Sequence, residues 1–350
     1  MERAIYRIID ANFNRAREAI RVVEEFCRFS LNSTPLTERA RQIRHELSAA
    51  VGKLEDGRLI SSRDTLGDVG IGKTVDKQLA RGNLKDCLTA GCKRLTEALR
   101  VLTEMTQTQE RSVAETIENL RYAAYALEKD VVLFSDAFER FRGVRLYVII
   151  TSNFPSDVIC LAYKCAAGGA DCIQLRAKAI DDDKHFAIAV EFVRICKDNS
   201  VLSIINDRVD IAVASGADGV HLGQNDLPVE CARRLQLAPL IIGKSTHSLK
   251  HLRAACEERL TYAALGPVFA TQTKPTAEAV GLDYVRQAAK ILSDTGVCNV
   301  AIGGITIDNV EDVLRAGAGA IAVCAAVTKA SDPAAACRAL KEKIAAFDKG

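Results

Sequence analysis

Tryptophan is absent from this 350-residue sequence, and only 5% of its side chains are aromatic. A surface that stacks nucleobases needs such rings in number, so that class of binding platform is excluded. Neither charge sign is in excess: 47 Lys and Arg stand against 45 Asp and Glu, a formal net charge of +2. Nucleic acid is therefore not an expected partner. Long apolar runs are missing as well. None reaches the ~20 residues that a membrane helix needs, and the longest candidate, Leu146–Thr151, has the length of a buried strand. The first ten residues carry Arg3 and Arg7 and lack the apolar core of a secretory signal. No membrane partner is expected, and the reading is of a soluble cytoplasmic protein. The twelve cysteines include no C-x-x-C pair; Cys87/Cys92 and Cys160/Cys165 are five residues apart. Others, such as Cys172, Cys196 and Cys324, sit in apolar runs, where cysteine behaves as a small hydrophobe. Buried free thiols are expected rather than a metal or redox centre.

What is present falls into two regions of different grammar. Up to about residue 143 the pattern is helical. Arg15–Phe29 places Ala16, Ala19, Ile20, Val23, Phe26 and Cys27 at three- and four-residue steps, and Thr37–Val51, Ala90–Met105 and Val113–Leu133 do the same. A Gly-, Ser- and Asp-containing loop, Ser61–Asp76, separates two related halves. Arg15, Glu18, Arg21 and Glu25 recur at the same spacing as Arg94, Glu97, Arg100 and Glu104, each set within a similar apolar frame. A duplicated helical hairpin folded as an antiparallel bundle is the simplest architecture. The spacings Glu18/Arg21 and Glu97/Arg100 are ordinary helix-surface ion-pair spacings, so a solvated face and a partner surface both remain open. The region discloses no chemistry.

From Arg145 short β-rich runs alternate with amphipathic helices. The runs are Leu146–Thr151, Cys172–Arg176, Leu202–Asn206, Gly219–His221, Ile241–Lys244, Tyr262–Gly266, Asn299–Ile302 and Ala320–Cys324. Eight alternations predict an α/β fold, a (β/α)₈ TIM barrel over residues 144–350, preceded by an all-α helical-bundle domain over 1–140. In such a barrel the chemistry sits past the C-terminal ends of the strands. Polar residues collect there. Period-two alternation sends Gln174, Arg176 and Lys178 to one side of the second run, and two converging cations call for an anionic ligand. The third run ends at Asn206-Asp207 and the fourth leads to Asp226. Two carboxylates beside cations fit a Mg²⁺ site that also takes phosphate oxygens, although an Asp at a strand end is also a common helix cap. Ser245 follows the fifth run, Thr271-Gln272-Thr273-Lys274 the sixth, and Gly303-Gly304 the seventh, while Cys324-Ala325 leads into the last helix. The final loops suit a phosphate held by backbone N–H groups. A mouth with a diphosphate half and a monophosphate half fits an enzyme joining a diphosphate ester to a phosphorylated acceptor.

The segments QLRAK, INDR, GVHLGQND, GKSTHS, GPVFATQTK and AIGGIT, in this order, resemble the thiamine phosphate synthase family over about Arg145 to Phe347. The resemblance implies a transferase that condenses 4-amino-5-hydroxymethyl-2-methylpyrimidine diphosphate with 4-methyl-5-(2-phosphoethyl)thiazole, or its carboxylated form. Residues Gln174, Leu175, Arg176, Ala177 and Lys178 would bind the diphosphate and pyrimidine together with Asn206, while Asp207 and Asp226 would hold Mg²⁺, and Ser245 would bond the pyrimidine substrate or its diphosphate. Thr271, Gln272, Thr273 and Lys274 would meet the thiazole phosphate and the departing diphosphate, and backbone groups at Gly304, Cys324 and Ala325 would bind the thiazole phosphate. Arg176, Lys178 and Lys274 would act catalytically by stabilising the leaving diphosphate. Ala177 stands where the family often has an acid, and the family often has a serine near Ala325. His221 and His247 are read as proton carriers or as packing residues. A relative on the same barrel that isomerises thiazole phosphates, or binds them in a regulatory role, is the nearest alternative, and it would need neither Asp207 and Asp226 nor a diphosphate-binding strand. For the helical region the expectation is an oligomerisation or docking unit that makes a homo-oligomer.

Overall fold

Helix formation in the N-terminal region follows the spacing of its apolar side chains. The computed structural model describes residues 2–54, 57–70, 80–152, 154–178, 180–271 and 278–349. It divides into two units, Met1–Val132 and Leu133–Gly350. In the first, α1 (Glu2–Glu25) buries Tyr6, Ile9, Ala16, Ala19, Ile20 and Val23 on one stripe and runs into a single π turn, Phe26–Ser30. Next come α2 (Thr34–Gly52), with a proline in its first turn, and the short α3 (Arg58–Ser62). Then follow α4 (Leu84–Thr106) and α5 (Arg111–Phe141). Asn83 starts α4 by accepting the Asp86 N–H. Helix α1 packs on both α2 and α4, and at Gly91 the approach is close: a Cβ there would lie 3.3 Å from Val22 Cγ1.

Two local expectations change. The first helix begins at Glu2 rather than Arg15, because Asp10, Asn12 and Asn14 weaken the helical signal. Their polar groups are nevertheless satisfied. Asn12 donates to Ile8 O at 2.9 Å, Asn14 donates to Asp10 O at 3.0 Å, and Arg63 grips the Asp10 carboxylate at 2.7 and 2.8 Å. Arg21 pairs with Glu24 and Glu25 instead of Glu18, and Arg100 pairs with Glu104 instead of Glu97. Glu24 explains the first difference. It is buried, and Arg21, Arg41 and Arg44 converge on it at 3.6, 3.3 and 2.8 Å. Burial pushes its carboxyl up, but the Arg44 and Arg41 hydrogen bonds outweigh that and hold it below the ordinary glutamate range. Glu24→Gln is therefore expected to cost about 2 kcal/mol at neutral pH. The folded carboxyl is the stronger acid, so this contribution is present above the unfolded-state value and is lost as pH falls through the lowered one. Urea unfolding of both proteins from neutral to acid pH should show the difference shrinking; a constant difference would mean that charge is not its source.

The second unit is a closed parallel barrel of eight strands in the order β1 to β8. It starts with β1 (Leu146–Ile150), α6 (Pro155–Ala167), β2 (Cys172–Leu175), α7 (Asp182–Asp198), β3 (Leu202–Asn206) and α8 (Val209–Ser215). The chain goes on through β4 (Gly219–Leu222), α9 (Val229–Leu235), β5 (Ile241–Thr246), α10 (Leu249–Cys256), β6 (Tyr262–Leu265) and α11 (Gly281–Leu292). It ends with β7 (Cys298–Ile302), α12 (Val310–Arg315), β8 (Ala320–Val323), α13 (Ala325–Thr328) and α14 (Pro333–Lys349). Alternate strand residues serve two cores. Leu146, Val148 and Ile150 join the shell between strands and helices. Tyr147 and Ile149 point inward with Cys172, Ile204, Tyr262, Val300 and Ala322. Ala137 and Phe141, from the last turns of α5, belong to that inner cluster. Phe141 stacks on Tyr262 at 4.3 Å between ring centres, nearly parallel, and meets Tyr147 edge-on at 6.5 Å. The barrel is thus filled at the N-terminal end of its strands and left open at the other. Cys165, Cys172, Cys196 and Cys337 are buried free thiols, and burial pushes the thiols of Cys172 and Cys196 up.

Candidate active site

The inward positions nearest the strand C-termini line a cavity of about 350 Å³. Gln174 and Arg176 reach it from β2, Asn206 and Asp207 from β3, His221 from β4 and Ser245 from β5. On the far side lie Thr271, Gly303, Gly304, Cys324 and Ala325. Lys178, Asn206, Asp207 and Ser245 are thereby brought together with the glycine pair, as parallel strands in register require. The side chains of Leu175 and Ala177 are not. Leu175 alternates with Gln174 and so joins the barrel–helix shell, and Ala177 packs against the same shell. Gln272, Thr273 and Lys274 lie outside the described residues.

Asp207 occupies a left-handed backbone position, φ +63°, which Asp and Asn tolerate better than other side chains. Its N–H donates to His221 O at 2.8 Å. It caps no helix, since α8 is entered through Arg208 without a side-chain cap. Its carboxylate lies 3.7 Å from Lys178 Nζ. Burial pushes the Asp207 carboxyl above the ordinary aspartate range, and the adjoining Asp226 pushes it further, against the pull of Lys178 and Arg176. Asp226 sits behind the cavity wall, where it accepts the Gly223 N–H at 2.6 Å. Arg176 makes no ion pair within 4.0 Å among the described residues, so its charge faces the cavity without a bonded counterion.

Across the mouth, the backbone comes close because two residues lack side chains. Gly303 and Gly304 have φ of +104° and +64°, and a Cβ on either would press within 2.7 Å of the Pro267 or Phe269–Ala270 segment. His247, another lining residue, is bonded through Nδ1 to Gly266 O, which accounts for one of its ring nitrogens.

Below the mouth runs a hydrogen-bond chain that sequence reasoning missed. Gln174 Nε2 donates to Tyr147 OH at 2.8 Å, Tyr147 OH meets Tyr262 OH at 2.9 Å, and Tyr262 OH meets His221 Nδ1 at 2.9 Å. His221 Nε2 then reaches Ser245 Oγ at 2.9 Å. The signal was a tyrosine at an inward strand position among aliphatics, since a buried phenol must find a partner. Strand register makes the chain possible: His221, Gly243 and Tyr262 are aligned on three consecutive strands, and the Tyr262 ring lies across the empty position. A Cβ at Gly243 would come within 1.9 Å of that ring. Gly243→Ala is expected to destabilise the protein by about 3 kcal/mol, read by chemical denaturation. Wild-type stability in that variant would mean the ring does not cross the strand.

Comparison with known proteins places these features in context. A family model described as thiamine monophosphate synthase matches residues 146–327, and one described as the ThiD2 family matches residues 7–130. The thiamine-phosphate synthase of Thermosynechococcus vestitus is 37% identical over 341 residues, covering 97% of this chain and 94% of that protein. The chain belongs to the thiamine-phosphate synthase family. The synthase of Rhodopirellula baltica is 38% identical, with 93% of this chain and 88% of that protein covered. Among solved structures, the thiamine phosphate pyrophosphorylase from Pyrococcus furiosus is 32% identical with a TM-score of 0.54, covering 60% of this chain and 98% of that one. This synthase, like its family, is a transferase built on a barrel. Among its described residues no helix is long and apolar enough to cross a membrane.

Proposed function

We propose that this synthase joins 4-amino-5-hydroxymethyl-2-methylpyrimidine diphosphate to 4-methyl-5-(2-phosphoethyl)thiazole, or its carboxylated form, giving thiamine phosphate and diphosphate. One observation carries the reading: a single cavity has Gln174, Arg176, Lys178, Asn206, Asp207 and Ser245 on one side and the Gly303–Gly304 turn on the other. The reaction breaks the bond between the pyrimidine methylene carbon and the diphosphate oxygen, whose electron pair leaves with diphosphate. The thiazole nitrogen lone pair forms the new C–N bond, and the ring keeps the positive charge. No side-chain nucleophile or proton transfer is required. The pyrimidine amino group feeds electrons toward the methylene carbon, which favours a dissociative departure. Arg176 and Lys178 stabilise the charge that accumulates on the leaving group, a role extended by the sequence reading to Lys274. Gln174, Asn206 and Ser245 orient the pyrimidine. Thr271 and the backbone at Gly304, Cys324 and Ala325 hold the thiazole phosphate, so that its nitrogen faces the carbon that diphosphate leaves.

The carboxylate pair fits a divalent cation. Asp207 and Asp226 adjoin one another in partial burial, at the cost expressed in the raised Asp207 carboxyl, and a cation between them removes that cost. When bound there with substrate oxygens completing its shell, Mg²⁺ would neutralise part of the diphosphate charge. Asp207→Asn keeps the shape and the left-handed backbone. Thiamine phosphate formation should fall about 100-fold or more in this variant. The metal-free variant should unfold no more easily than wild type, because a repelling charge is gone. Mg²⁺ should raise the melting temperature of wild type alone. A well-folded wild type that forms no product from the two substrates with Mg²⁺ would sink the reading.

We place the reaction in the cytoplasm, where multiply charged substrates are retained and buried free thiols stay reduced. The N-terminal helical unit is assigned a self-association role, with exposed Tyr122 and Tyr125 on one face of α5 as its candidate surface. Sedimentation velocity should show an oligomer that a Tyr122→Glu, Tyr125→Glu double variant dissociates. A monomeric wild type at micromolar concentration removes the assignment.

A further inference from the structure

Hydrogen-bond accounting along the buried chain gives it a direction. Gln174, Tyr147 and Tyr262 are all but inaccessible to solvent, and His221 is nearly so. The Gln174 amide donates to Tyr147, so Tyr147 has its own O–H to place. Passing it to Tyr262 lets Tyr262 donate to His221 Nδ1, which puts the imidazole proton on Nε2 and turns it toward Ser245 Oγ. Each phenol then accepts once and donates once. In the reverse direction, Ser245 donates to His221, His221 to Tyr262 and Tyr262 to Tyr147. The Tyr147 O–H is then left with the Cys172 sulfur, a weak acceptor in a position closed to solvent. Leaving a buried donor poorly matched is unfavourable, so with the Gln174 amide nitrogen on Tyr147 the chain runs in the first direction. Burial also keeps both phenols protonated, their acidity pushed far from the ordinary range.

We infer that Tyr147, Tyr262 and His221 are positioning residues that couple the hydrogen-bond polarity of the two sides of the cavity, so that the Gln174 amide nitrogen turned inward frees the Ser245 hydroxyl hydrogen for the ligand. Gln174 therefore presents its carbonyl oxygen as an acceptor, and Ser245 presents a donor. The ligand class that matches is a flat heterocycle with an amino donor beside a ring-nitrogen acceptor; its identification with the pyrimidine substrate rests on the function proposed above. A heterocycle carrying a carbonyl in place of the amino group would face Gln174 with the wrong polarity. The ring packing holds the arrangement still: Phe141 lies flat on Tyr262, and the vacancy at Gly243 lets Tyr262 reach His221.

The test has two arms that fail separately. With the full chain labelled with ¹⁵N-histidine at pH 8, above the ordinary histidine range, His221 should show the Nε2–H tautomer, its signals assigned by their loss in His221→Gln. Tyr262→Phe should keep that tautomer and move the Nδ1 signal to that of an acceptor that has lost its hydrogen bond. An Nδ1–H tautomer in the wild-type protein overturns the inference, whether or not the protein makes thiamine phosphate. In the kinetic arm, Tyr262→Phe and Tyr147→Phe should each raise KM for the pyrimidine diphosphate by about tenfold and leave KM for the thiazole phosphate unchanged. Equal changes in both KM values, or a fall in kcat alone, overturn it as well. If Tyr262→Phe fails to fold, Tyr147→Phe and the wild-type tautomer still decide. Wild-type protein with the Nε2–H tautomer but no product would instead remove the function reading and leave the polarity assignment standing.

Discussion

Side-chain alternation along eight short parallel strands is the constraint on which the site depends. Each strand has four to six residues, so each contributes only two or three side chains to the barrel interior. The lower positions carry bulk, as at Tyr147, Ile204, Tyr262 and Val300, and they close the interior without a channel. The upper ones carry polarity, as at Gln174, Asn206, His221 and Ser245. A one-residue slip of β2 would send Gln174 and Arg176 into the helix shell and Leu175 into the mouth. The apolar demand of the shell therefore fixes the placement of the polar groups, and burial that has nothing to do with ligand binding specifies the binding surface.

That surface is electrostatically unfinished. Arg176 and Lys178 bring positive charge to the mouth that Asp207 lines, with Asp226 adjoining Asp207 from behind the wall, yet the cations and carboxylates do not neutralise one another in tight pairs: the Lys178–Asp207 separation is 3.7 Å. Burial penalises each charge, and close pairing would be the usual remedy. The proposed ligand would offer another remedy, because a diphosphate would offset the cations and a metal ion bound to it would offset the carboxylates. In the proposed reaction both halves would arrive together. Such a mouth would bind the metal-bound diphosphate better than either part alone, which suits a leaving group that must be held as its charge grows.

Much of this was legible in the sequence, and the failures are instructive. The eight β-rich runs match the strands to within about two residues at each end, because buried strands flanked by amphipathic helices leave a strong periodic trace. The approach of Gln174, Arg176 and Asp207 was legible for the same reason: they stand at strand ends, where a barrel collects them. Leu175 and Ala177 were grouped with their neighbours by motif, although alternation already pointed them the other way. The start of α1 was obscured by Asp10, Asn12 and Asn14, whose side-chain bonds become visible only in three dimensions. Tyr147, Tyr262 and Gly243 could not be joined from the sequence, since their relation is set by the register across three strands and the far wall of the barrel. Pairing across a closed sheet is a tertiary fact, and local pattern carries no record of it.

The floor of the barrel extends this point to the chain's organisation. The sequence pattern changes at Arg145, yet the boundary between the units falls at Val132–Leu133, inside α5. The nine residues from Leu133 to Phe141 continue one helix, so periodicity gives no sign of a change of allegiance. Their packing does. Phe134 lies under the Arg233 guanidinium, 5.5 Å from ring centre to Cζ, Arg140 pairs with Asp218, and Phe141 covers Tyr262. These contacts make the end of α5 part of the barrel whatever the role of the helices before it. Tyr262 is the member of the polar chain nearest the floor, so the segment that plugs the barrel also fixes the ring from which His221 and Ser245 take their orientation. The site is thus set from below as well as from its rim, and a barrel begun at Arg145 would keep every lining residue while losing the surface on which Tyr262 rests.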